Sequence, residues 1–423
     1  MDKNVFVGNK IWKELFMINC FKLSNHIKVV CEPMPYLRSV SLGIWVKAGS
    51  VNESLELNGI SHVIEHMLFK GTKTKSAKEI ADITTSLGGN LNAFTSKEYT
   101  SYYICTLDKH LDASIELLSD MLINSTISNK DIEKEKSVIL DEIDMYEDSP
   151  EEMVHEVLQQ YVWKDNSHGY IISGDKDTVK SFTKAQIINF KNYYYTGENI
   201  VISVAGSFEQ DRLIDKLERF FGQIPLKGSS NAPLAPIFTR CDYQKNKDIE
   251  QAHLNIAYEA ISALSPKRYA FSIVNSVLGG SVNSRLFQRI REEEGMVYSI
   301  YSYQSSYDQC GLFQIYAAMN PGLINAVLDE IYATIDEFVK MKISNSELNN
   351  AREEIKTELI INAESTQCRM ENNAKSLLQF DKIISMDETI KALDMVTVDD
   401  TALIIDQYIR NMKPATAIIG KLD

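Results

Sequence analysis

The spacing of apolar and polar positions divides most of the chain into short strands and amphipathic helices. Runs rich in Val, Ile and aromatic residues predict strands over 26–32, 39–47, 100–107, 200–206, 253–258 and 311–317. Apolar residues returning every three or four positions predict helices over 60–69, 77–87, 111–122, 131–146, 212–221, 268–278 and 323–341. Hairpin-like strand neighbours followed by helices point to an α+β architecture, a mixed sheet with helices covering one face. Near the middle, IPLKGSSNAPLAP (224–236) carries three of the nine prolines together with Gly228, Ser229 and Ser230, a composition that resists both helix and strand. This places a linker over 226–244, between an N-terminal domain 1–225 and a C-terminal domain 245–423.

The two domains share a pattern. ISNKDIEKEKSVILDEI from Ile127 and ISNSELNNAREEIKTEL from Ile343 align without a gap at an offset of 216. Ile132 falls on Leu348, Ile139 on Ile355 and Glu142 on Glu358, and Ser128 and Ser344 each stand three residues before an acid, as in a capping box. Duplication of one half accounts for this better than two unrelated amphipathic helices.

Charge narrows the partners. With 44 basic and 58 acidic residues, 44 − 58 = −14, the chain lacks the cationic surface that non-specific nucleic-acid binding requires, so nucleic acid is not expected as a partner. The long uncharged run 309–328 is broken by Gln314, Asn320, Pro321 and Gly322, so no membrane span is expected. Lys13 and Glu14 interrupt the only apolar stretch near the start, which argues against a secretory signal and for a cytoplasmic protein. The six cysteines form no CxxC pair and read as free, buried thiols.

One short segment carries chemistry. His62-Val63-Ile64-Glu65-His66 lies within a helical pattern, and residues four apart return to one helix face, so two imidazoles can address one ion with Glu65 beside them. Open zinc sites use three protein groups, which leaves one ligand to come from elsewhere. Glu135 and Glu142, seven residues apart, lie about 20° from a common face of the helix over 131–146. That face passes Val138 and Ile139 and is expected to be buried, where a carboxylate pair needs a cation. His110, His155, His168 and His253 have no ligand-like spacing and read as structural or solvated.

His62 to His66 followed by Glu142 resembles the HxxEH…E signature of the inverzincin metallopeptidases of the pitrilysin and mitochondrial-processing-peptidase type, family M16, in its short branch. The segments 88–103, 133–152 and 279–303 carry the likeness further, so that it spans nearly the whole chain after residue 20. The resemblance implies a LuxS/MPP-like metallohydrolase fold of two homologous domains closed as a clamshell, and a zinc-dependent endopeptidase acting on extended peptides between them. It implies one Zn2+ per chain held by His62, His66 and Glu142, with Glu65 taking a proton from the attacking water and Glu135 supporting the site from behind. Asn92, Ala93 and Phe94 match the edge strand on which substrate adds, and Arg291 and Tyr298 match the pair that reaches the substrate from the second half. Family likeness further implies a homodimer, and the negative charge favours basic peptides. Three other readings stay open: a catalytic subunit needing a non-catalytic partner, a non-peptidase assembly protein, and a zinc that is purely structural. The Asn25-His26 turn, where the family usually has Asn-Gly, and Tyr170 beyond His168-Gly169 depart from the pattern.

Overall fold

The computed structural model describes residues 17–227, 233–410 and 412–422. The interrupted apolar stretch around Lys13 and Glu14, and Gly228 to Ser230 of the linker, lie outside the described residues.

Eleven described strands form two sheets. The first contains β1 (Asn19–Lys22), β2 (Lys28–Pro33), β3 (Ser39–Val46), β4 (Asn90–Thr95), β5 (Thr100–Leu107) and β6 (Ile200–Gly206) in the order β1-β2-β6-β3-β5-β4. The second contains β7 (Asp242–Asn246), β8 (Ala252–Ala260), β9 (Val297–Ser306), β10 (Gly311–Met319) and β11 (Ala415–Gly420) in the order β7-β11-β8-β10-β9. Omitting β1, the two orders superimpose strand for strand. The β2/β6 and β7/β11 pairs are parallel and the remaining pairs antiparallel. The repeated segments become equivalent helices, Asn129–Asp148 and Asn345–Asn362. Each begins at its serine, with Asp131 N–H donating to Ser128 Oγ at 3.2 Å and Glu347 N–H to Ser344 Oγ at 3.3 Å. Duplication therefore governs topology as well as one helix pattern.

The chain divides into two compact units that are not contiguous in sequence. One comprises residues to Asp141, Tyr170–Pro233 and Ile361–Ile383; the other comprises Glu142–Gly169, Leu234–Ile360 and the chain from Ile384 onward. These units differ from the stretches 1–225 and 245–423 by the exchange of one helix each way. Helix Pro150–Val162 sets Val154, Leu158 and Val162 against Ala257, Tyr316, Ala417 and Ile419 of the second sheet. Helix Thr366–Phe380 sets Met370, Ala374 and Leu377 against Val30, Trp45, Tyr103 and Val201 of the first. Helix Leu111–Asn124 packs against β3 and β5. Successive strand residues point to opposite faces, so a sheet with apolar residues at nearly every position needs cover on both sides. β6 is buried at all seven positions and β10 at all nine. The expectation of helices on one face only is corrected for this reason.

Three smaller expectations also change. Ile139 is fully buried, but its neighbour Val138 is 47% exposed, because the helix Asn129–Asp148 keeps one flank in solvent. All six cysteines are free, yet only Cys31 is buried, and Cys20 is exposed. Beyond the helix Arg268–Asn275 the backbone continues as a π-helical turn, Ser276–Gly280.

Candidate metal centre

The helix Ile60–Leu68 carries His62, Glu65 and His66 on one flank while Ile60, Val63, Ile64 and Met67 are buried on the other. The four-residue spacing brings the imidazoles together, with ring centroids 4.6 Å apart. The helix Asn129–Asp148 passes alongside and delivers two carboxylates. Its continuity matters, because the division between units falls inside it, after Asp141, and Glu142 is held in register by the same backbone that holds Glu135. His62, His66 and Glu142 each offer a ligand atom, and these atoms lie within 4.8 Å of one another. Among the described residues this is the one group of three or more His, Cys, Asp or Glu side chains able to hold a metal.

Glu135 takes a different place from Glu142. It is 4% exposed, with one carboxylate oxygen 3.2 Å from His66 Nδ1 and the other 2.8 Å from Lys70 Nζ. A carboxylate paired with lysine only accepts hydrogen bonds, so Nδ1 of His66 donates to it and Nε2 is the ring nitrogen left for a metal. This is the orientation that a metal-ligating histidine takes when a carboxylate supports it. Burial, and secondarily the neighbouring His66, push His62 down to about 3, so its ring is neutral and available as a ligand.

Glu65 has its own anchor: the Thr95 hydroxyl donates to Glu65 Oε2 at 2.6 Å. Thr95 ends β4, which pairs with β5 along one side and forms the edge of the first sheet, so Asn92, Ala93 and Phe94 do lie on an edge strand. The Phe94 ring packs against Trp45 and Tyr103, at 5.6 and 6.4 Å between centroids. Below Glu65, the Tyr102 and Tyr195 hydroxyls are 2.8 Å apart and buried; burial pushes both phenols up, and the charge of Glu65 adds to the effect.

Arg291 and Tyr298 belong to the second unit. Arg291 lies in the π-helical stretch Phe287–Glu293 with its guanidinium 4.9 Å from the centroid of Phe287, and Tyr298, the second residue of β9, is 59% exposed. Three of the other five histidines are spoken for structurally: His155 by Tyr303 and Asn255, His253 by Tyr316, and His168 by Asn166. Lys70 and Thr95 escaped the sequence reading. Lys70 stands four residues beyond His66, a spacing that could have flagged it, whereas only the packing of the helix Ile60–Leu68 against β4 brings Thr95 to Glu65.

The donor set fits zinc. Two imidazole nitrogens and one carboxylate are borderline-soft and hard ligands that zinc accepts, and three protein groups leave room for a fourth, exchangeable position. A tetrahedron with bonds of about 2.0–2.1 Å has edges of about 3.3 Å. The donor atoms lie within 4.8 Å of one another, the same range as that edge.

Two duplicated sheets and an inverted HxxEH helix paired with a distant glutamate define an inverzincin-type peptidase architecture. The family model for insulinase, peptidase family M16, matches residues 28–176, and that for the peptidase M16 inactive domain matches residues 181–355. A Bacillus subtilis (strain 168) protein named as the uncharacterized zinc protease YmxG is 39% identical over 383 residues, 90% of this chain and 93% of the relative. A Rickettsia felis protein, named as an uncharacterized zinc protease, is 33% identical over 412 residues, 97% and 99% of the two chains. The crystal structure of a protease from Helicobacter pylori shares the fold at a TM-score of 0.89 and 22% identity, covering 96% of this chain and 100% of that one. The chain belongs to peptidase family M16.

Proposed function

We propose that this chain is a zinc-dependent endopeptidase in which His62, His66 and Glu142 hold one zinc ion. The observation that carries the reading is the convergence of these three donors from two helices to within 4.8 Å. The zinc-protease names of relatives as much as 39% identical support it. Zinc, when bound, supplies a Lewis acid that polarises a peptide carbonyl and acidifies water. The chain's own residues do the rest. Glu65, held by Thr95, takes the proton of the attacking water and passes it to the departing amine. The free edge of β4 at Asn92 and Ala93 takes an extended peptide as an added strand.

Arg291 and Tyr298, both exposed, contact the substrate in this proposal, Tyr298 by donating to the developing oxyanion. The net charge of −14 favours basic peptides. A homodimer and a cytoplasmic location complete the proposal. Among the described residues no helix is long and apolar enough to cross a membrane.

The test is Glu65→Gln on the purified chain, with metal content measured alongside cleavage of a peptide library. Zinc retained with hydrolysis abolished is the expected result; unchanged hydrolysis removes Glu65 from the mechanism. Activity of the wild-type chain by itself separates a self-sufficient enzyme from a subunit that needs a partner.

A further inference from the structure

The helix that carries both histidines begins without a cap of its own. Its first flanking residue is Gly59, left-handed at φ 97°, which has no side chain to accept the helix-start N–H groups. A Cβ there would come within 2.7 Å of Ser173 O, so a capping serine or aspartate does not fit. The acceptor arrives from six residues upstream. Glu53, 6% exposed, places Oε2 2.8 Å from Gly59 N and 3.0 Å from Asn58 Nδ2, and Oε1 2.8 Å from Ser61 N. Both oxygens thus hold the first turn, one residue before His62.

Glu53 is itself fixed. It follows the short turn Ser50–Asn52, where Val51 N–H donates at 2.9 Å to Lys97 O, in the connection between β4 and β5. Asn58 Nδ2 also donates to Ile171 O at 2.8 Å. The carboxylate therefore ties the start of the histidine helix to the turn that follows the edge strand, and thereby to Thr95 and Glu65. An anion at a helix N-terminus is also favoured by the helix dipole.

We infer that Glu53 is a positioning residue for the metal site, setting through the first helical turn where His62 presents its nitrogen. This rests on the zinc reading of His62, His66 and Glu142. A carboxylate accepts at both oxygens, whereas an amide turns a donor toward one of the two N–H groups, so Glu53→Gln must shift the turn while keeping side-chain size.

The test measures zinc affinity of the full chain by chelator competition, and the visible spectrum of the cobalt-substituted protein, in wild type, Glu53→Gln, Asn58→Ser and His62→Ala. Glu53→Gln is expected to weaken zinc binding about tenfold or more, the range for groups that orient metal ligands, and to move the cobalt bands. Asn58→Ser, which removes one of the three bonds, is expected to act in the same direction to a smaller extent. His62→Ala is expected to abolish tight binding. A folded Glu53→Gln chain with affinity within twofold of wild type and an unchanged cobalt spectrum overturns the inference, while loss of binding in His62→Ala leaves the zinc reading standing. If Glu53→Gln does not fold, wild-type affinity and spectrum in Asn58→Ser overturn it instead. Wild-type affinity in His62→Ala sinks the zinc reading and this inference with it.

Discussion

His66 Nδ1 and Glu135 Oε2 lie 3.2 Å apart, joining a proposed metal ligand to a carboxylate that Lys70 holds on its other side. The link orients the ring and raises its basicity toward a metal. Glu135→Gln is expected to weaken zinc binding between about 10- and 100-fold while the chain stays folded. Chelator competition with intact far-UV circular dichroism checks this; unchanged affinity would confine Glu135 to holding the two helices together.

His155 contributes a pH dependence of known sign. Its Nδ1 lies 2.6 Å from the Tyr303 hydroxyl, and burial, with His253 as the smaller cause, pushes it down to about 4. An unfolded histidine titrates near about 6.5. Because the folded value is the lower one, the contribution is complete above about pH 6.5 and is lost as the pH falls toward 4, by at most about 1.4 kcal/mol per pH unit. Urea titrations of wild type and His155→Gln across this window are expected to diverge, with the wild type losing stability more steeply. Parallel curves would contradict the assignment.

The helix Thr366–Phe380, contributed from late in the chain, is anchored on the first sheet by Met370, which is fully buried. A Cβ on Gly43 of β3 would lie 2.3 Å from Met370 Sδ, and Met370 O accepts from Ser203 Oγ at 2.7 Å. Met370→Ala is expected to cost about 2–5 kcal/mol through lost burial and a residual cavity. Chemical denaturation followed by circular dichroism reads this directly, and a loss below about 1 kcal/mol would mean that the sheet face closes without this side chain.

His26 occupies a left-handed turn at φ 68° between β1 and β2, exposed, with Leu23 and Ile27 bonded across it. A side chain in that conformation costs about 1–2 kcal/mol, and glycine's extra unfolded-state freedom offsets about half of this. His26→Gly is expected to stabilise the protein by up to about 1 kcal/mol, measured as a higher urea midpoint at unchanged slope. A lower midpoint would show that the imidazole itself contributes to the turn.

Much of the candidate site was legible in the chain because helical spacing is local. His62, Glu65 and His66 share a flank since residues three and four apart must, and Glu135 and Glu142 share another for the same reason. The duplication was legible through one helix pattern, and the sheet order repeats it. By contrast, Val138 was misjudged because seven-residue spacing identifies a stripe without saying how wide the buried sector is.

By itself, then, the sequence determined the helix that carries His62, Glu65 and His66, the spacing of these side chains and the existence of two similar halves, since backbone geometry converts local periodicity into faces. Only the tertiary structure decided which half receives the helices Pro150–Val162 and Thr366–Phe380, because an apolar helix face accepts any complementary apolar sheet and the choice is made by long-range packing. It likewise decided that Lys70 meets Glu135, that Thr95 meets Glu65 and that Glu53 closes the start of the histidine helix. These are single polar contacts, two of them between segments distant in sequence, and a lone polar residue carries no periodic signal that names its partner.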